Sequence, residues 1–146
     1  MRFLPEEFMG YNVEPTDIKQ FTELCYMLGR LGQVQIKTIQ GYEYPKNYYS
    51  ATFIEKGSSC SIFMNCYSPL VAFGVVSERG ILFEQNATLE SLIAHHYPYI
   101  KVLTPKELAV GIQQSHLSAF SPKGRAAIEY WLPLTMGGAL FSWFFD

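Results

Sequence analysis

The longest run of helical periodicity follows "NVEPTD". Ile18, Phe21, Leu24, Cys25, Leu28 and Leu31 recur every three or four positions, the spacing that lines apolar side chains along one helix face. Pro15 and Thr16 set the start, Asp17 sits where the positive end of a helix favours a carboxylate, and Gly29 and Gly32 offer stops. The pattern predicts an amphipathic helix lying on an apolar surface.

The period then falls to two. "QVQIKTIQ", from Gln33 to Gln40, alternates, and "YYSATFIEK" and "SCSIFMNC" flank Lys56-Gly57-Ser58, which reads as a hairpin turn. In the second of these, Cys60, Ile62, Met64 and Cys66 share one face, while Ser59, Ser61, Phe63 and Asn65 share the other. "LVAFGVV", Leu70 to Val76, is apolar without alternation and predicts a central strand covered on both sides. "SERG" turns the chain into "ILFE". These segments predict four antiparallel strands in a meander, with Val34–Ile39 as a candidate fifth.

Helix punctuation returns in the last third. Thr88 is placed to cap Leu89–His95, and "YIKVL" suits a short edge strand. Thr104-Pro105-Lys106-Glu107 has the capping-box pattern with Pro at the first helical position. Ser121-Pro122 opens a helix predicted to run to Trp131 and stop before Pro133. Thr135 is placed to cap a last helix whose stripe is Met136, Leu140, Trp143 and Phe144. The expected architecture is one α+β domain over residues 1–146. In it, an antiparallel four- to five-stranded meander packs, in two layers, against an N-terminal helix and several C-terminal helices.

Composition narrows the functions. Only 16% of residues are charged, against 49% hydrophobic and 16% aromatic, so the chain folds and has apolar surface to spare. A net charge of −2 supplies no excess to neutralise phosphates, and no nucleic-acid partner is expected. The greasy stretch from Trp131 to Phe145, broken by Pro133 and Gly137-Gly138, falls short of the roughly 20 apolar residues of a membrane span. It is expected to dock on the core; a partner surface and a lipid anchor are the alternatives. Pro5, Glu6 and Glu7 stand where a secretory signal is apolar, so a cytoplasmic protein without membrane partners is expected.

Candidate chemistry is sparse. Cys25, Cys60 and Cys66 form neither a disulfide framework nor a zinc spacing, and are expected to be free thiols. His95 and His96 are adjacent, and neighbouring helix positions diverge where zinc helices use a spacing of four; no metal is expected. A Cys–His dyad drawing on Cys60 or Cys66 with His95 or His96 depends on the fold, and thiols on an apolar strand face are inert. Aspartate occurs only at Asp17 and Asp146, and no Gly-rich phosphate loop is present. The expectation is a protein that is not an enzyme and takes no cofactor.

The most unusual stretch is "GYEYPKNYY", Gly41 to Tyr49, with Tyr42, Glu43, Tyr44, Tyr48 and Tyr49. Tyrosines at strand ends often simply pack. Loop tyrosines are also what protein interfaces use, offering area and a hydroxyl for little rotamer entropy. Glu6, Glu7, Glu14 and Asp17 make the N-terminal segment acidic, a field that speeds encounter with a basic partner.

The C-terminus, "IEYWLPLTMGGALFSWFFD", carries Tyr130-Trp131, Pro133, Thr135, Gly137, Phe141 and a closing aromatic-Asp. It resembles the tail of small bacterial immunity proteins of polymorphic-toxin and contact-dependent inhibition systems. There, Tyr-Trp, Lys, Pro, Thr, a small apolar residue and Gly precede a Phe-Asn-x-Trp-Asp ending. The order of "SIFMNCYSPLVAFGVV", "YIKVLTPKEL" and terminal helices is similar as well. The chain departs from that pattern at Leu132 and Ser142, and in having Phe144-Phe145 after Trp143. The resemblance implies a non-catalytic antidote that binds and neutralises one cognate toxin domain in bacterial competition, as a monomer or weak homo-oligomer. It supplies no site residues. The expected contact regions, Tyr42, Glu43, Tyr44, Tyr48 and Tyr49 with Glu6, Glu7, Glu14 and Asp17, come from the residue chemistry. The alternative is a small structural or adaptor subunit that self-associates through an aromatic surface.

Overall fold

The computed structural model describes residues 4–10 and 13–142. Helix α1 spans Ile18–Leu31, later than Pro15 suggests, because the Asp17 side chain accepts the Lys19 N–H and caps it. Phe21, Leu24, Cys25 and Leu28 turn inward with Met27, while Ile18 and Leu31 at the two ends stay exposed.

Strands β1 (Gln35–Gln40), β2 (Tyr48–Glu55), β3 (Ser58–Asn65), β4 (Leu70–Ser77) and β5 (Gly80–Glu84) form an antiparallel meander in chain order. The β2–β3 turn places Lys56 and Gly57 at φ 50° and 80°, the left-handed pair a two-residue hairpin demands. The strand expected within "YIKVL" is β6 (Lys101–Val102), and it pairs parallel to β4 at Leu70 and Val71. The sheet is therefore six-stranded and mixed, not a purely antiparallel set of four or five. The crossover through helix α2 (Ala87–His96) is what reverses the sense of β6. Asn86, not Thr88, caps α2: its side chain accepts the Leu89 N–H, so the helix begins earlier than expected.

The sheet has helices on both sides, so the expected two layers are three. On one face Tyr49, Ala51, Phe53, Ile62, Met64, Val71 and Phe73 pack against α1 and α2. On the other, Phe63, Leu70 and Ala72 meet Leu4, Phe8 and the C-terminal helices. These are α3 (Pro105–Leu108), α4 (Pro122–Glu129) and α5 (Met136–Leu140). Strand β3 shows the sorting as expected, with Cys60, Ile62, Met64 and Cys66 to the first face and Phe63 to the second. The capping box at Thr104 forms in both directions, and Thr135 caps α5 by accepting the Gly138 N–H. Helix α4 ends at Glu129, short of Trp131. Met136 and Leu140 are buried in α5, which also ends sooner than expected; Trp143 and Phe144 lie outside the described residues.

Candidate interaction surface

The tyrosine-rich segment joins β1 to β2, and its residues part company. Tyr49 is only 2% exposed. Its ring stacks on Phe21, and its hydroxyl donates to the Thr16 carbonyl. Tyr48 is half-buried, edge-on to Phe63 and Phe141. Tyr42 and Tyr44 stand 44% and 63% exposed, with Glu43 exposed between them. Strand alternation explains the split, because Tyr48 and Tyr49 already belong to β2 and point to its two covered faces. Of the five residues expected at a contact, Tyr49 is thus a core residue and Tyr48 mostly one.

Asn47, within the same segment, is the residue the sequence reading missed. It is buried, and its amide donates to the Phe8 carbonyl at 3.1 Å and the Ala139 carbonyl at 2.9 Å. Its side-chain oxygen accepts the Ser142 N–H at 2.7 Å. Asn65 at the end of β3 works beside it, donating to Leu140 at 2.8 Å and Phe8 at 3.2 Å while accepting the Tyr67 N–H. The two asparagines tie the N-terminal turn and the end of α5 to the sheet. The available signal was polarity out of place: Asn65 shares the β3 face that carries buried Phe63.

The acidic residues also differ in role. Glu6 accepts from the Ser121 N–H and hydroxyl, at 3.0 and 2.6 Å, and lies against Gly124. It is a carboxylate at the start of α4, where the helix dipole favours one. Asp17 caps α1. Glu7 and Glu14 are exposed.

The structure brings the Tyr42–Tyr44 tip beside part of the acidic segment. Gly41 approaches the Ile18 side chain so closely that a Cβ there would sit 2.9 Å from it. Tyr67 fills the space above Gly10, whose φ of 78° and lack of a side chain admit the ring, and Tyr42 lies close enough to act on its hydroxyl. Burial, this tyrosine neighbour and nearby Cys66 and Tyr49 all push the Tyr67 phenol up. Val13 and Ile18 are exposed on the same segment as Glu14 and Asp17. The result is an aromatic and aliphatic surface edged with carboxylates. Tyr26 on α1 and Tyr99 after α2 are exposed as well, and Tyr97, edge to face with Tyr99, is within electrostatic reach of Glu23 and Arg30.

No family model, no characterised protein and no solved structure matches this chain.

The thiols are unlike activated nucleophiles. Burial pushes Cys25 and Cys66 up to about 12, and burial with Glu84 and Glu55 raises Cys60. An attacking cysteine needs the opposite shift. Among the described residues, no group of three His, Cys, Asp or Glu is placed to hold a metal. His95 and His96 are exposed at the end of α2, edge to face with each other. No helix among the described residues is long and apolar enough to cross a membrane. A concavity of about 640 Å³ lies between the β4–β5 hairpin and α3 and α5, with Tyr48, Phe83 and Phe141 in its lining.

Proposed function

We propose that this chain is an immunity protein, a non-catalytic antidote that binds and neutralises a cognate bacterial toxin domain. The observation that carries the reading is the surface where Tyr42 and Tyr44 stand exposed beside the segment of Val13, Glu14, Asp17 and Ile18. Exposed tyrosines are among the side chains most enriched at binding hot spots. Carboxylates at the rim raise the encounter rate with a basic cleft. The tail resemblance supports the same reading. Tyr48, Tyr49 and Glu6 serve the scaffold in it, and Tyr42, Glu43, Tyr44, Glu7 and Glu14 serve the contact.

The test is co-expression with the toxin domain encoded beside the gene, scored by growth and by a co-purifying complex. Tyr44→Ala is expected to weaken the complex by about 2 kcal/mol, mainly through faster dissociation. Glu14→Gln with Glu43→Gln is expected to slow association at low salt, and added salt should erase the difference. Failure of the wild-type chain to restore growth would sink the antidote reading. Restored growth with unchanged affinity in every variant would move the interface elsewhere.

A further inference from the structure

The two edges of the sheet are built differently. At one edge, β1 reads Gln35-Ile36-Lys37-Thr38-Ile39-Gln40, and its register with β2 slips between Ile36 and Thr38. A bulge at a lysine is a common way to stop a foreign strand from pairing. At the other edge, β5 reads Gly80-Ile81-Leu82-Phe83-Glu84, pairs with β4 without a slip, and has no strand beyond it among the described residues. Exposed aliphatic side chains stand here on both faces: Leu82 is 65% exposed on one, and Val76, opposite Ile81 on β4, is 62% exposed on the other.

We propose that β5 pairs antiparallel with β5 of a second copy of this chain, about a two-fold axis at Leu82. The Glu78–Arg79 turn closes on the pair Ser77–Gly80. Alternation from that closing pair aims the N–H and C=O of Ile81 and Phe83 away from β4. Among the described residues no backbone bond outside the β4 ladder takes them up. Centred on Leu82, Ile81 of each copy meets Phe83 of the other, so every outward group of these residues finds a partner. An aliphatic–aromatic pair forms on one face of the sheet, and Leu82 faces Leu82 on the other. Glu84 lies opposite Gly80, and Arg79 opposite Gln85. Shifting the axis to Ile81 would set Glu78 against Glu84. Shifting it to Phe83 would set Glu84 against Leu82 in both copies. The strand is therefore complementary to itself in one register. Because β1 and β5 end the sheet on opposite sides, pairing through β5 leaves the Tyr42–Tyr44 surface of each copy free, and the proposal stands apart from the toxin reading.

Sedimentation over a wide concentration range tests it. Wild-type protein is expected to shift from monomer to dimer. Leu82→Lys, which changes an exposed side chain and sets two ammonium groups opposite each other, is expected to raise the dimer dissociation constant about tenfold or more. Under mild oxidation, Leu82→Cys is expected to give a disulfide-linked dimer, because cross-strand partners bring their Cβ atoms to about 4.5–5.5 Å. Lys37→Cys on the β1 edge is expected to give none above the wild-type background from its own thiols. A wild-type chain that stays monomeric to millimolar concentration would overturn the proposal. So would a dimer that Leu82→Lys leaves intact, or one that cross-links as well through Lys37→Cys.

Discussion

One face of the sheet is covered by two helices of 14 and 10 residues. The other is covered by three helices of 4, 8 and 5 residues with short 3-10 turns between and before them. A three- or four-turn amphipathic helix is held in place by the area its stripe buries. A single turn of helix has little stability of its own. The second face accordingly relies on fixed polar contacts: the Thr104, Ser121 and Thr135 caps, the Glu6 carboxylate on Ser121, and the Asn47 and Asn65 amides. On the first side the Asp17 and Asn86 caps and the Tyr49 hydroxyl on the Thr16 carbonyl accompany longer helices. On the second, the short helices depend more heavily on hydrogen bonds to particular carbonyls.

Three measurements can break or sharpen that contrast. The largest effect is expected from Phe21→Ala, which empties the interior of the first face and removes the ring stacked on Tyr49. Chemical denaturation should show a loss of about 3–5 kcal/mol. Asn65→Ala comes next. It leaves the Leu140 carbonyl and the Tyr67 N–H without their partner, at about 2–3 kcal/mol in total. Hydrogen exchange should quicken in α5 and the N-terminal turn while α1 stays protected. Equal loosening of both faces would mean that the asparagines do not hold the second one in particular.

The smallest effect is a difference in pH response. Cys25 and Cys66 both belong to the first face. Their thiols are raised from 9.0 to about 12 in the fold, so between those values the unfolded chain gives up protons that the folded chain keeps. Stability should be unaffected by these groups below pH 9 and fall above it, by at most about 1.4 kcal/mol per pH unit for each thiol. Cys25→Ala should flatten that decline. Glu107, in the capping box of α3, behaves oppositely. Partial burial alone would raise its carboxyl, but the Thr104 N–H, the Lys101 ammonium at 3.3 Å and the Thr104 hydroxyl outweigh it and leave it lowered. Its contribution is present above the ordinary carboxylate range and is lost as pH falls through the lowered value. An alkaline decline that Cys25→Ala leaves unchanged would remove the thiols from the account.

The same contrast marks how far the sequence could be read. Helix α1, the β2–β3 hairpin and the sorting of β3 are visible in periodicity and turn residues, because each depends on neighbours within a few positions. The capping box at Thr104 is visible for the same reason. The tyrosine segment misleads: its composition raises the expectation of a contact region at every tyrosine, yet only the strand boundary at Tyr48 decides which rings stay outside. Tyr42 and Tyr44 are left exposed, and Tyr49 becomes core. Glu6 misleads likewise, since its partner Ser121 lies 115 positions away.

The sequence by itself determined the α+β class, the meander, the burial of β4 inside the sheet, though next to the edge rather than at its centre, and the positions of most helix starts. These follow from short-range spacing and from caps that bond to their own helix. Only the tertiary structure decided that the sheet is covered on both faces, that β6 enters parallel to β4, and that Asn47 and Asn65 bind carbonyls of the N-terminal turn and α5. It also decided that part of the acidic segment lies against the Tyr42 loop and that, among the described residues, no strand lies beyond β5. Each of these joins residues far apart in the chain. Local pattern says which side chains seek burial or a partner, but the partner is fixed only when all the layers close together.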